Sequence, residues 1–187
     1  MFSRSNKGFT MVEILVVIIA VGLLGSISVI MLSKGSEIFV SETARQGFVS
    51  EARSAFWRTM RDAHGQRSPV DFASSDQKYL KLKNSKDEQK EFQIESPDQF
   101  NYRFGGTGNY NRLSNSLGYS QSGGFKFYDN SFDIISLSSN ALTEEQASSV
   151  RLSKLELTFV KDTDVLSLSS FVFPYNFKFG QKMSYHE

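Results

Sequence analysis

From Phe9 to Leu32 the chain reads FTMVEILVVIIAVGLLGSISVIML, an apolar run interrupted by one ionisable side chain, Glu13. Its 24 positions would make about 36 Å of helix, enough for a hydrocarbon core of roughly 30 Å. The run is too long for the apolar core of a secretory signal, and no A-x-A-like cleavage site follows it. Beyond it the period stays helical but the face narrows. Phe39, Ala44, Phe48, Ala52, Ala55, Phe56, Met60 and Ala63 recur at spacings mostly of three to five, the stripe of an amphipathic helix. Arg58 and Asp62 stand at i,i+4, and Lys34 and Glu37 at i,i+3, spacings that pair charges on a helix surface. Gly65 and then Pro69, the first proline, mark the stop. The pattern predicts one helix from Phe9 to about His64.

Past Pro69 the period changes to two. Tyr79–Lys83 puts Leu80 and Leu82 on one face, and Glu91–Glu95 does the same with Phe92 and Ile94, with a polar turn between. Gln99–Phe104 is a third strand, and Phe125–Tyr128 with Phe132–Leu137 a fourth region. Thr143-Glu-Glu-Gln146 has the form of a capping box opening a short helix. Lys154–Val160 and Val165–Phe173 flank the turn Lys161–Asp164 as a hairpin. Phe171, Phe173, Tyr175, Phe177 and Phe179 all fall at odd positions, one face of an extended chain. They are expected to cover the helix stripe as core. Gly105–Gly124, with six glycines, reads as a surface loop. Its Tyr110 and Tyr119 are placed to touch a partner or a sugar, if the loop is more than a flexible connection. The fold class expected is α+β: a long N-terminal helix packed on an antiparallel β-sheet head.

Composition removes several kinds of chemistry. The absence of cysteine excludes a disulfide scaffold, a thiolate metal site and a cysteine nucleophile. Histidine occurs only as His64 and His186, so no triad or metal cluster is expected, and no cofactor is implied. Gly105-Gly-Thr-Gly108 lacks the lysine and the strand-to-helix setting of a phosphate loop. Asp162 and Asp164 read as a charged turn rather than half of a calcium loop. The net charge is +1, and residues 69–187 hold 13 basic against 15 acidic side chains. The lysines from Lys78 to Lys90 are interleaved with Asp87 and Glu88, which argues against nucleic acid as a partner.

One motif joins the basic leader, with Arg4 and Lys7, to the apolar run: Lys7-Gly8-Phe9-Thr10-Met11-Val12-Glu13. It resembles the type IV prepilin signature. The resemblance implies that prepilin peptidase, a membrane aspartic peptidase, cuts between Gly8 and Phe9 and N-methylates Phe9. Glu13 then becomes the fifth mature residue, facing a new cation four positions upstream. Two unit charges 4 Å apart attract by about 4 kcal/mol at an effective dielectric of 20, comparable with the cost of placing a carboxylate in a membrane helix. Paired between subunits, they would set an axial register.

The resemblance divides the chain into a leader (1–8), a transmembrane half-helix (9–32), an amphipathic half-helix (33–66) and a strand-rich head (67–187). It implies an inner-membrane anchor with the head outside the cytoplasm, where the basic leader stays inside, and assembly with other pilin or pseudopilin subunits. Many major pilins carry a proline where Ile30 stands, so the chain leans toward a minor subunit. Glu51–Asp62, reading EARSAFWRTMRD, is similar to the end of the long helix in J-type minor pseudopilins. A plainer reading makes Phe56, Trp57 and Met60 core. Two other classes compete: a non-assembling anchored adhesin or ligand-binding module, and an anchored enzyme, for which no catalytic constellation is present.

Overall fold

The computed structural model describes residues 8–137 and 140–176. Arg4, Lys7, Phe177, Phe179 and His186 lie outside the described residues. The helix α1 runs from Met11 to His64 and belongs to two compact units, residues 1–46 and 47–187.

In the first unit every described residue is exposed. The helix passes through Gly22, Gly25 and Gly35 without interruption, so none of them breaks it. Ser26 and Ser28 donate their hydroxyls to the carbonyls of Gly22 and Leu24, each at 2.8 Å, satisfying polar groups on an apolar surface from within the helix.

In the second unit α1 buries Phe48, Ala52, Ala55, Phe56, Thr59, Met60 and Ala63. Phe39 and Ala44, in the first unit, are exposed, so the buried stripe starts later than its period predicted. Trp57 is 62% exposed; of the three residues expected as core, it alone stands out. Nor do Arg58 and Asp62 pair: Arg58 lies 4.1 Å over the Tyr102 ring, and Asp62 holds Lys90 at 2.7 Å. Partners from the sheet displaced a surface pair worth only tenths of a kcal/mol.

Two antiparallel sheets complete the head, β1-β2-β3-β4 and β5-β6-β7. The first contains β1 Tyr79–Lys83, β2 Gln89–Glu95, β3 Gln99–Phe104 and β4 Asn111–Ser114; the second contains β5 Gly124–Tyr128, β6 Leu152–Lys161 and β7 Asp164–Val172. The helix α2, Glu144–Ser149, opens with the reciprocal Thr143–Gln146 box. Alternation places Leu80, Leu82, Phe92, Ile94 and Phe100 in one apolar cluster with Phe127, Leu155, Leu157, Phe159 and the helix stripe. Phe92 meets the Phe100 and Tyr102 rings at 6.1 and 5.2 Å, and Phe72 meets Phe127 at 5.3 Å.

Three expectations are corrected. Residues 132–137 form only an isolated bridge at Ile134, opposite Tyr128. The glycine-rich stretch contains β4. Phe171, Phe173 and Tyr175 point outward, 55, 40 and 67% exposed, while Val172 between them is fully buried. Apolar residues of both parities occur there, and the smaller one took the core position.

Tyr110 is fastened rather than free. Its hydroxyl donates to the Glu91 carboxylate at 2.7 Å, and Arg103, which also lies over the Tyr110 ring, donates to the same oxygen through Nε at 2.8 Å. Gln89 donates to the other Glu91 oxygen. At Gly106 (φ +70°) a Cβ would sit 2.8 Å from Gln89 Nε2, so the positive φ favours glycine and any larger residue would push Gln89 aside.

Burial pushes the Glu91 carboxyl up, but the hydrogen bonds from Tyr110, Arg103 and Gln89 outweigh it and hold it below its ordinary value. Desolvation, then Glu91 itself, pushes Tyr110 up to about 12. A carboxyl lowered on folding contributes stability above its unfolded pKa, and that contribution is lost as pH falls through the folded value. Glu91→Ala is therefore expected to cost about 3 kcal/mol at neutral pH, because it leaves Arg103 without its buried partner. The deficit against the parent should shrink on acidification below about pH 4.5. Thermal unfolding across pH 3–7 measures both; a constant deficit over that range contradicts the assignment.

Candidate processing and assembly site

Gly8, Phe9 and Thr10 precede α1 in exposed, non-helical chain. A Cβ built at Gly8 meets nothing within 4 Å, so nothing in this chain's own packing demands glycine there. Any such demand would come from an enzyme that must approach the peptide bond.

The helix starts through a reciprocal cap. Thr10 O accepts from Ile14 N at 3.2 Å, the first turn's hydrogen bond. Thr10 Oγ1 accepts from Glu13 N at 3.3 Å, while a Glu13 carboxylate oxygen accepts from Thr10 N at 2.8 Å and Thr10 Oγ1 at 2.9 Å. A carboxylate in this place satisfies the Thr10 amide and meets the positive end of the helix dipole. Glu13 thus has a partner inside its own chain. Thr10 is the residue that sequence reasoning missed, although Thr10-x-x-Glu13 has the same form as the box recognised at Thr143.

The cap bears directly on processing. A cut between Gly8 and Phe9 frees the nitrogen of Phe9, whereas the amide bonded to Glu13 belongs to Thr10. Such a cut would remove no atom of the cap, whose bonds join Thr10 and Glu13 alone, and would add a cation one residue away.

Above the cap the helix is apolar enough to cross a membrane, with an 18-residue window of mean hydropathy 2.9, none of it buried. A family model of the prokaryotic N-terminal methylation motif matches residues 3–29, which takes in Gly8, Phe9, Thr10 and Glu13. The chain is type IV pilin-like. No curated protein and no solved structure matches it. The match covers residues just ahead of α1 and the first turns of that helix, and the head of this pilin-like chain lies outside it. The long helix followed by antiparallel sheets is a pilin-like α+β arrangement.

The remaining candidate residues separate by place. Tyr119 is 38% exposed, with Lys78 Nζ 4.6 Å over its ring, whereas Tyr110 is bound to Glu91. Lys83 and Lys90 face Asp87 and Asp62. Asp162 and Asp164 bracket the β6–β7 turn, and among the described residues no three His, Cys, Asp or Glu side chains converge as a metal site.

Proposed function

We propose that this chain is a minor pilin or pseudopilin, a structural subunit of a type IV pilus or a type II secretion-like fibre. Prepilin peptidase cuts it between Gly8 and Phe9 and methylates Phe9, and the mature helix holds it in the inner membrane with the head outside the cytoplasm. It then enters the fibre, or primes its tip, by packing its apolar helix against those of other pilin-like subunits. The observation that carries the reading is the methylation motif at residues 3–29, placed on an apolar helix whose outward surface is wholly exposed. An isolated surface of that kind is stable only in lipid or against other apolar helices. The reading assigns the chain a structural role, as substrate of the peptidase rather than enzyme.

Fractionation of a host with and without prepilin peptidase tests this. With the peptidase, the shortened chain is expected in sheared fibres together with other pilins. Without it, the full-length chain should stay in the membrane fraction. A full-length chain that remains in the membrane of both hosts contradicts the reading and favours the anchored ligand-binding module, for which the outward Phe171, Phe173 and Tyr175 supply a surface.

A further inference from the structure

The last turns of α1 carry an exposed feature that the N-terminal site does not use. Trp57, the only tryptophan in the chain, is 62% exposed beside Phe56 at 5%. Arg53 and Arg61 stand one turn before and one turn after it, so the three form a single row, the guanidiniums rooted about 12 Å apart along the axis. Among the described residues neither Arg53 nor Arg61 meets a carboxylate. Their charged neighbours are engaged: Asp62 with Lys90, Arg58 over Tyr102, and Glu51 with the Asn115 amide at 3.1 Å. At the end of the row lies a groove of about 420 Å³, lined by Trp57, Met60, Arg61, His64, Gly65 and Tyr175. Its far wall is built by contacts within the chain: Tyr175 stacks on His64 at 5.2 Å, and His64 Nδ1 lies 3.2 Å from the Phe173 carbonyl.

We propose that Arg53, Trp57 and Arg61, with the Tyr175–His64 wall, form a docking seat for a carboxylate-bearing surface of a different subunit of the same fibre. Charge complementarity selects that occupant. Two guanidiniums on one row, neither meeting a carboxylate among the described residues, suit two carboxylates, which each can hold through paired N–H donors. The ring between them supplies the desolvated apolar contact, and Trp, Tyr and Arg are the side chains on which protein interfaces concentrate their binding energy. A neutral glycan would stack on Trp57 and Tyr175 and leave both cations uncompensated. That the occupant is a subunit of another kind rests on the minor role proposed above, in which few copies of this chain stand next to one another.

The test uses the full chain in cells that contain the peptidase and the other fibre subunits. A photoreactive benzoylphenylalanine replaces Trp57, and in a second strain it replaces Lys86, exposed in the β1–β2 turn. Irradiation is expected to join position 57, and not position 86, to a different pilin-like subunit through a peptide rich in Asp and Glu. The adduct should fall at least about fivefold when Arg53→Glu and Arg61→Glu are combined, since like charges then face each other. It should persist with Arg53→Lys and Arg61→Lys, which also controls for folding. A processed chain with no adduct at position 57 overturns the seat alone. So does an adduct to a glycan, a lipid or a second copy of this chain, or one insensitive to charge reversal. An adduct formed by a chain that keeps its leader would support the seat while contradicting the processing in the proposed function.

Discussion

Glu13→Gln is expected to leave the chain inserted and processed yet to lower its incorporation into fibres at least tenfold. Glutamine serves at the third position of a capping box as glutamate does, so the helix start at Thr10 should survive, and the peptidase still meets Gly8 and the basic leader. What glutamine cannot do is answer the ammonium that the proposed processing would create on a neighbouring Phe9. A factor of ten corresponds to about 1.4 kcal/mol, a difference that losing one charge of a pair held away from water can supply.

Thr10→Val separates the cap from the charge. It removes both bonds made by the Thr10 hydroxyl, keeps the Thr10 amide bond to Glu13 and should cost about 1 kcal/mol of helix-end stability. Incorporation should then fall far less than with Glu13→Gln. The measurement is recovery of each variant in sheared fibres, normalised to the processed pool in the membrane. Equal losses for the two variants would mean that assembly depends on the cap; no loss for Glu13→Gln would remove the intersubunit pair from the account.

The second large effect concerns which part of α1 the head needs. A chain beginning at Ser33 loses the apolar run but keeps Phe48, Ala52, Ala55, Phe56, Met60 and Ala63, all 8% exposed or less. It is expected to be soluble, monomeric and folded, with strong near-UV circular dichroism. A chain beginning at Arg67 lacks those residues and exposes the inner surfaces of Phe92, Phe127, Leu155 and Phe159, fully or almost fully buried in the whole chain. Deleting one large buried side chain costs about 2–5 kcal/mol, so losing Phe48, Phe56 and Met60 together removes about 6–15 kcal/mol, comparable with all of the roughly 5–15 kcal/mol that holds a typical domain together. That chain should be molten or insoluble. A cooperative unfolding transition in it would show that the sheets stand without the helix.

Much of this architecture was legible because it follows local periods. The alternation in Tyr79–Lys83 and Gln99–Phe104 located β1 and β3 to the residue, and Thr143-x-x-Gln146 located α2 through its cap. The misses share a physical origin. A period shows which residues share a face but not which face is buried. Phe171, Phe173 and Tyr175 do lie on one side, yet Val172 took the interior, and Trp57 stands at the edge of a stripe whose centre is Ala52, Ala55 and Phe56. The strand β4 is four residues long, exposed over its first half, and joined to β3 across a register shift, so nothing in its own sequence announces it. At the N-terminus the motif at Gly8, Phe9 and Glu13 is plain, whereas the role of Thr10, three residues before Glu13, shows only in the hydrogen bonds of the cap.

The most direct test of the account is the identity of the first residue of the mature chain. Intact-mass and N-terminal peptide mass spectrometry, on protein from membranes and fibres of a host with active prepilin peptidase, should find a chain that starts at Phe9 and carries one added methyl group on its amine. A chain that retains Met1–Gly8, or one cut elsewhere in the apolar run, would contradict it.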